Sequence, residues 1–396
     1  MKIAKRLLLL LLVSTSGTAV LAQPVTLKAF EVLELPSEVT ANQARLQIHA
    51  FGRDFAMALT PNRDLLASLP ATQRARVARD TFLKGKLEGV PDSWVRLNRI
   101  DGRISGGFFD GSELYLIDRA KGFSGIGVRG LTANDTIVFR FSDLDFRALV
   151  DHGGVEPLVK TETGRGQTDY QNFISHLREV ASLQGTAMLA MPVTIVSDTQ
   201  FTSQHGSSAA SVVVGRINFI DGIYSSQLGV GITLWHHEIL SSNGTLTATD
   251  ALELLNQFRT FMTNGAGSEI PFEGLAHLFT DTRPAGGTAG IAYVGVLCNR
   301  FSGYGVDEDL NSETTSALVF AHEVGHNFNA PHDGQEGEGQ QGACADETFA
   351  GIMNPFINGV QQFSDCSLAQ MEPAAADASC LVETIDSQLV FADGFE

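Results

Sequence analysis

The stretch "HEVGHNFNAPHD", His322–Asp333, holds three of the chain's ten histidines at spacings of four and six. The residues before it, "NSETTSALVFAHEVGHNF", predict a helix capped by Asn311 or Ser312, with Ala317, Ala321, Val324 and Phe328 on one face. His322 and His326 then lie one turn apart, on the side away from that apolar stripe, so two imidazoles of one helix can grip a single metal ion. Glu323 is offset around the helix and reaches a water at the metal instead of the metal itself. Asn329 suits a left-handed residue ending the helix, Pro331 cannot continue it, and the chain turns so that His332 supplies a third ligand. Three histidines leave a fourth zinc position for water, as catalytic sites do. An exposed polar helix face would explain the H-x-x-x-H spacing alone. It does not explain the glutamate, the helix break and the third histidine together.

The rest of the chain sets the context. Its start, "MKIAKRLLLLLLVSTSGTAVLAQP", reads as an export signal over residues 1–22. Lys2, Lys5 and Arg6 precede a short apolar core from Leu7 to Val13, and small residues precede a cut at Gln23. The apolar run is too short to span a bilayer, and no later stretch is long enough. The expectation is an exported protein without a membrane span. A formal charge of −18 argues against nucleic acid as a partner, because phosphate would be repelled over most of the surface. The four cysteines, Cys298, Cys344, Cys366 and Cys380, suggest two disulfides with three pairings open. No C-x-x-C pair supports a cysteine–zinc site instead.

Two styles of sequence follow one another. "ARLQIHAFG", "SWVRLNRI" and "ELYLID" alternate apolar and polar residues between glycine-rich turns, predicting a β-rich region from Thr26 that extends through "FRFSDLDF". The polar stretch Val159 to Gln171 reads as a linker open to cleavage. From near Ala187, buried-type strands ("MPVTIVSD", "VGITLWHHEIL", "GLAHLFTD", "GIAYVGVLC") alternate with amphipathic helices ("SAASVVVGRINFIDGIYSSQL", "ATDALELLNQFRTFMTN"). This is the pattern of an α/β domain with a largely parallel sheet. Adjacent His236 and His237 point to opposite faces of their strand and do not share a metal. His277 reads as a structural strand residue. The segment "VETIDSQLVFADGFE" is an edge strand, a removable tail or disordered, and the residues leave these open.

"HEVGHNFNAPHD" resembles the zinc signature of the metzincin metallopeptidases, and its final "HD" their adamalysin/reprolysin (ADAM-like) group. Met353 in "GIMNP" is similar to the Met-turn of that clan, "FSDCS" resembles another reprolysin stretch, and "GIAYVG" resembles the edge strand that pairs with substrate. "FLKGKLEGVPDSWVRLNRIDGRISGGFF" is similar to reprolysin propeptides. The resemblance implies a metzincin catalytic domain with a twisted, mostly parallel sheet, an active-site helix and a Met-turn, preceded by a β-rich propeptide domain. The chain then divides into a signal at 1–22, propeptide at 23–165, processing region at 166–186, catalytic domain at 187–383 and tail at 384–396.

The resemblance also implies one catalytic Zn2+ on His322, His326 and His332, with Glu323 as catalytic base, and leaves structural Ca2+ undetermined. Asp333 supports the turn around His332, and substrate pairs with Ala292, Tyr293 and Val294. The implied disulfides are Cys298–Cys380 and Cys344–Cys366. The implied activity is hydrolysis of extracellular proteins or peptides by a secreted zinc endopeptidase, with its own propeptide as inhibitor. The alternative is a secreted adhesion protein that keeps the zinc fold without turnover. Two departures matter. Asn329 stands where the family usually has glycine, and no cysteine precedes Cys298, so a propeptide cysteine cannot bind the zinc in cis. Four cysteines are also too few for the disintegrin and cysteine-rich modules of large animal members, which implies a minimal architecture.

Overall fold

The computed structural model describes residues 26–33, 45–123, 131–145, 187–282, 288–310, 312–337, 339–348, 351–355 and 362–385. The export signal, the linker and processing region, and the tail beyond Ile385 lie outside these residues.

The first half is a meander of short strands. Strands β2 (Glu31–Val32), β3 (Arg45–Ala50), β4 (Arg53–Pro61), β5 (Thr81–Leu87), β6 (Trp94–Ile100), β7 (Arg103–Phe109), β8 (Leu114–Arg119) and β9 (Thr136–Arg140) form one eight-stranded antiparallel sheet. Two small strands, β1 (Thr26–Leu27) and β10 (Leu144–Asp145), pair separately, and a short helix α1 (Ala71–Arg76) follows β4. Strand β3 alternates exposed and buried residues, as a half-covered strand should. Strand β6 does not, because both its faces are covered. Val95 and Leu97 enter the sheet's own core with Phe55, Met57 and Phe108. Trp94, on the other face, joins a second core shared with the rest of the chain.

The second half begins with β11 (Ala187–Ser197). It continues through helices α2 (Thr199–His205) and α3 (Ala209–Gln227), strand β12 (Val230–Ile239), helix α4 (Ala251–Asn264), and strands β13 (Leu275–Thr280), β14 (Gly290–Ala292) and β15 (Tyr304–Glu308). Helices α5 (Glu313–Asn327) and α6 (Asp365–Asp377) and strand β16 (Val382–Ile385) complete it. The sheet runs β12-β11-β13-β15-β14. The first four strands are parallel, while β14 and β16 are antiparallel additions, so the chain is mixed α/β with a largely parallel second sheet. Strand β16 pairs Val382–Ile385 with Ala187–Ala190. The stretch left open by sequence therefore starts as a strand, one that runs across the boundary placed after residue 383.

Helix α3 joins the halves. Periodicity predicts an amphipathic helix, yet every residue from Ala209 to Ile220 is buried. An apolar helix covered all round belongs between two layers, and α3 lies between the two sheets. Its glycines set the approach: a Cβ on Gly222 would stand 2.8 Å from Trp94 and Arg96, and one on Gly215 would stand 3.0 Å from Asn98. Two groups of polar side chains pair across this interface. Arg96 donates to Asp221 at 2.8 and 2.9 Å, and Asn62, Asn218 and Asn98 form a chain of amides at 2.9 and 2.8 Å.

Asp118 crosses between the halves in the same way. From β8 it accepts hydrogen bonds from Ser312 Oγ (2.8 Å), the Thr314 N–H (3.1 Å) and Thr314 Oγ1 (3.1 Å), at the N-terminus of α5. A carboxylate there satisfies donors the helix cannot and opposes its dipole favourably. Asp118→Ala should lower stability by about 1–3 kcal/mol, read as a lower denaturant midpoint with unchanged slope.

A second expectation concerns pH. Burial, with smaller contributions from Arg76 and His236, lowers the His237 imidazole from 6.5 to about 3. The unfolded chain takes up this proton first. The stability linked to His237 is therefore fully present above about 6.5 and is lost as pH falls towards about 3. His237→Gln keeps a partner for Ser197 and should flatten acid destabilisation in that window by up to about 1.4 kcal/mol per pH unit, measured by denaturant unfolding.

Candidate metal centre

Helix α5 carries the site. Ser312 caps it by accepting from the Thr315 N–H at 3.2 Å, which resolves the choice between Asn311 and Ser312. Its end is fixed by two bonds, Asn329 N–H to His326 O (2.8 Å) and Ala330 N–H to Gly325 O (3.0 Å). These are the paired bonds of a Schellman motif, and they require a left-handed residue at Asn329, whose φ is +80°. The helix is not half-exposed: every residue from Thr314 to Asn327 is buried. An exposed polar face is thereby excluded.

The turn brings three imidazoles together. His322 Nε2 lies 3.1 Å from His326 Nε2 and 3.2 Å from His332 Nε2. Tetrahedral zinc bound at ordinary Zn–N lengths needs N···N separations of about 3.3–3.4 Å, so the donor set fits that ion. Each Nδ1 is already engaged. His322 Nδ1 donates to Ile352 O (2.7 Å), His326 Nδ1 to Ala330 O (2.8 Å) and His332 Nδ1 to Gln335 Oε1. With the proton held on Nδ1, each Nε2 presents a lone pair to the shared point. Among the described residues, these three histidines form the one group of side chains able to hold a metal. They are nearly inaccessible in the whole chain, at 3%, 0% and 4% exposure, as is Glu323 at 1%.

Glu323 lies between the helix and strand β14. A Cβ on Gly290 would stand 2.4 Å from Glu323 Oε1, so the carboxylate occupies space that only glycine leaves. Below the helix, Tyr224 donates to Ala321 O at 2.7 Å. Burial first, and the nearby Glu323 charge second, push its hydroxyl well above the usual tyrosine range, so it stays a donor.

Asp333 anchors the turn that carries His332. Its carboxylate accepts from Ser364 Oγ (2.6 Å), Ser367 Oγ (2.9 Å) and the Gly351 N–H (3.2 Å), and its own N–H donates to Met353 O (2.9 Å). It therefore ties the turn after the helix to the Met353 segment and the start of α6. Burial raises the carboxyl against the lowering effect of these donors. Fully buried Met353 places its sulfur 2.5 Å from where a Gly325 Cβ would sit, so glycine between the two helical ligands lets methionine close beneath them. The disulfides join Cys298 to Cys380 and Cys344 to Cys366, the pairing that the resemblance implied.

The edge strand is shorter than "GIAYVGVLC" suggests. Strand β14 ends at Ala292, and the chain then bends, with Gly295 and Val296 N–H groups donating to His326 and Asn327 carbonyls at 3.0 Å. Glu308 N–H bonds Ala289 O and Tyr293 N–H bonds Tyr304 O, so alternation turns Gly290 and Ala292 outward. Tyr293 faces inward, and Val294 lies beyond the strand. The strand ends because the helix terminus takes over its hydrogen bonds.

Sequence reading missed Gln335, Gly290 and Gly325. A glycine inside a helical motif and one opening a strand were visible signals of close approach; nothing in the sequence marked Gln335. Asn329→Gly should retain metal and fold, whereas Asn329→Val should lose stability. A left-handed non-glycine costs roughly 1–2 kcal/mol, and a β-branched one more. Metal content by atomic absorption and thermal midpoints check both.

Residues 190–364 match Reprolysin_5, metallo-peptidase family M12. Human disintegrin and metalloproteinase domain-containing protein 22 is 23% identical over 346 residues, covering 80% of this chain and 36% of that protein. Disintegrin and metalloproteinase domain-containing protein adm-2 of Caenorhabditis elegans is 26% identical over 217 residues, covering 54% and 22%. The chain thus spans about a third or less of the length of these relatives. The crystal structure of metalloproteinase-II from Bacteroides fragilis aligns over 83% of this chain and 90% of its own, at TM-score 0.48 and 10% identity, a likeness too slight to bear on the fold. With the family match lying across the histidine triad, the segment 190–364 is an ADAM- and reprolysin-like metzincin domain.

Proposed function

We propose that the protein is a secreted zinc endopeptidase made as a precursor, cutting extended segments of extracellular proteins or peptides. One observation carries the reading: three Nε2 atoms converge with each Nδ1 occupied, while the Glu323 carboxylate lies against strand β14, whose Gly290 and Ala292 backbone groups β15 does not use. His322, His326 and His332 would hold zinc, which supplies Lewis acidity towards water and the scissile carbonyl. Glu323 takes the proton of the attacking water and passes it to the leaving amine. Backbone groups of Gly290 and Ala292 pair with the substrate chain, the β-augmentation mode. Met353 serves as the Met-turn residue beneath the ligands.

The precursor reading is supported by the packing of the N-terminal sheet on α3 and of Asp118 on the start of α5. In it, residues 23–165 are the propeptide, 166–186 the processing region, 187–383 the catalytic domain and 384–396 a tail. Latency comes from steric cover, since no cysteine precedes Cys298.

Glu323→Gln should keep zinc near one equivalent while peptide hydrolysis falls at least about a hundredfold, the lower end of general acid–base assistance. His322→Ala should lose zinc and activity together. Processed wild type that binds zinc but cuts no peptide would replace this reading with the adhesion alternative.

A further inference from the structure

His277, on β13, is fully buried and lies outside the metal site. Its ring exists there only because Gly305, opposite it on β15, has no side chain: a Cβ would stand 2.3 Å from the imidazole Cε1. Nδ1 lies 2.8 Å from Asp307 Oδ2 and Nε2 lies 2.8 Å from Asn327 Oδ1. The orientation of the Asn327 amide is fixed independently. Its Nδ2 faces two carbonyls, Tyr293 O at 2.8 Å and Tyr304 O at 3.3 Å, which can only accept. Asn327 therefore turns its oxygen to His277, and Nε2 must carry a proton. On the other side the Asp307 carboxyl faces Nδ1, so both ring nitrogens are hydrogen-bonded.

Strand β15 brings Asp307 and Gly305 to the ring, and α5 brings Asn327 and Phe320, whose ring meets it edge-on with centroids 5.1 Å apart. The other oxygen of Asp307 has no hydrogen-bond partner among the described residues, so the imidazole is the contact that holds this carboxyl.

The geometry points to His277 as a positioning residue for substrate: a buried imidazole held between Asp307 and Asn327 that orients Asn327, so that Asn327 holds the Tyr293 carbonyl inward and the backbone groups of Gly290 and Ala292 remain turned away from β15 to receive a peptide. This rests on the peptidase reading. Asn327 is the last residue of α5, directly after the ligand His326, so the relay also sets the edge strand's distance from the metal helix. No proton moves in the reaction through this relay. It fixes the register of one strand against the helix.

The test uses the full chain. Ring nitrogen NMR of protein labelled in histidine, with His277→Gln identifying the resonances, should find a proton on His277 Nε2. A ring whose Nε2 carries none overturns the proposal. In the processed enzyme, His277→Gln should raise KM for an extended peptide about five- to tenfold, roughly the loss of one hydrogen bond's worth of binding, with kcat within about twofold and zinc content unchanged. A fall in kcat with KM unchanged also overturns it. Should His277→Gln fail to fold, another substitution that removes the same resonances identifies them, and the wild-type spectrum still decides. Should wild type cut nothing, the peptidase reading falls while the spectrum judges the His277–Asn327 hydrogen bond separately.

Discussion

Three imidazoles can meet at one point only if the nitrogen that does not face it is held elsewhere. Here two of the three holders are backbone carbonyls, Ile352 and Ala330, and the third is the Gln335 side chain. Much of the second half of the chain is arranged to deliver those acceptors. The Schellman turn at Asn329 brings Ala330 back over His326. Asp333 fastens the segment containing Ile352 and Met353 to the turn, and through Ser364 and Ser367 to α6. The Cys344–Cys366 bridge holds the loop after His332 to the same helix. A buried polar site is stable only when each donor has a partner, and here main chain meets that condition for His322 and His326 and a side chain for His332.

The same economy governs contacts between elements. Glycines stand wherever two elements approach too closely for a Cβ: Gly325 above Met353, Gly290 against Glu323, Gly305 under His277, Gly222 against Trp94. Each leaves room for one particular side chain of its neighbour. The N-terminal sheet takes part in this packing as fully as the second sheet does. It covers α3 and supplies Asp118 to the start of the helix that bears the ligands. A carboxylate about one helix length from the imidazoles thus contributes to the stability of the element that carries them.

Much of this was legible in the residues. The spacing of His322, His326 and His332, Glu323 beside the first, and a residue tolerant of positive φ before Pro331 specify a helix, a turn and a donor set by local stereochemistry alone. The alternation of "ARLQIHAFG" marked a half-covered strand for the same reason, since side-chain period follows backbone geometry. Strand and helix order from Ala187 onward indicated an α/β sheet, and the even cysteine count indicated disulfides.

What the local pattern did not contain was set by neighbours distant in sequence. Periodicity cannot tell a helix with one buried face from one covered by two sheets, so α3 and α5 read as amphipathic although both are enclosed. The end of β14 at Ala292 depends on the terminus of α5 taking over Gly295 and Val296, and Tyr293 faces inward because Asn327 and β15 hold it. Asp333, adjacent to His332 in sequence, ties the turn to the Met353 segment, while Gln335 meets His332, and Asn327 meets His277, from positions that no spacing announces. The sequence by itself determined the donor set and the turn that returns it, because those follow from dihedral preference and chemistry within a dozen residues. Only the tertiary structure decided which second nitrogen, which carbonyl and which strand edge answer that donor set, because each belongs to an element brought there by packing.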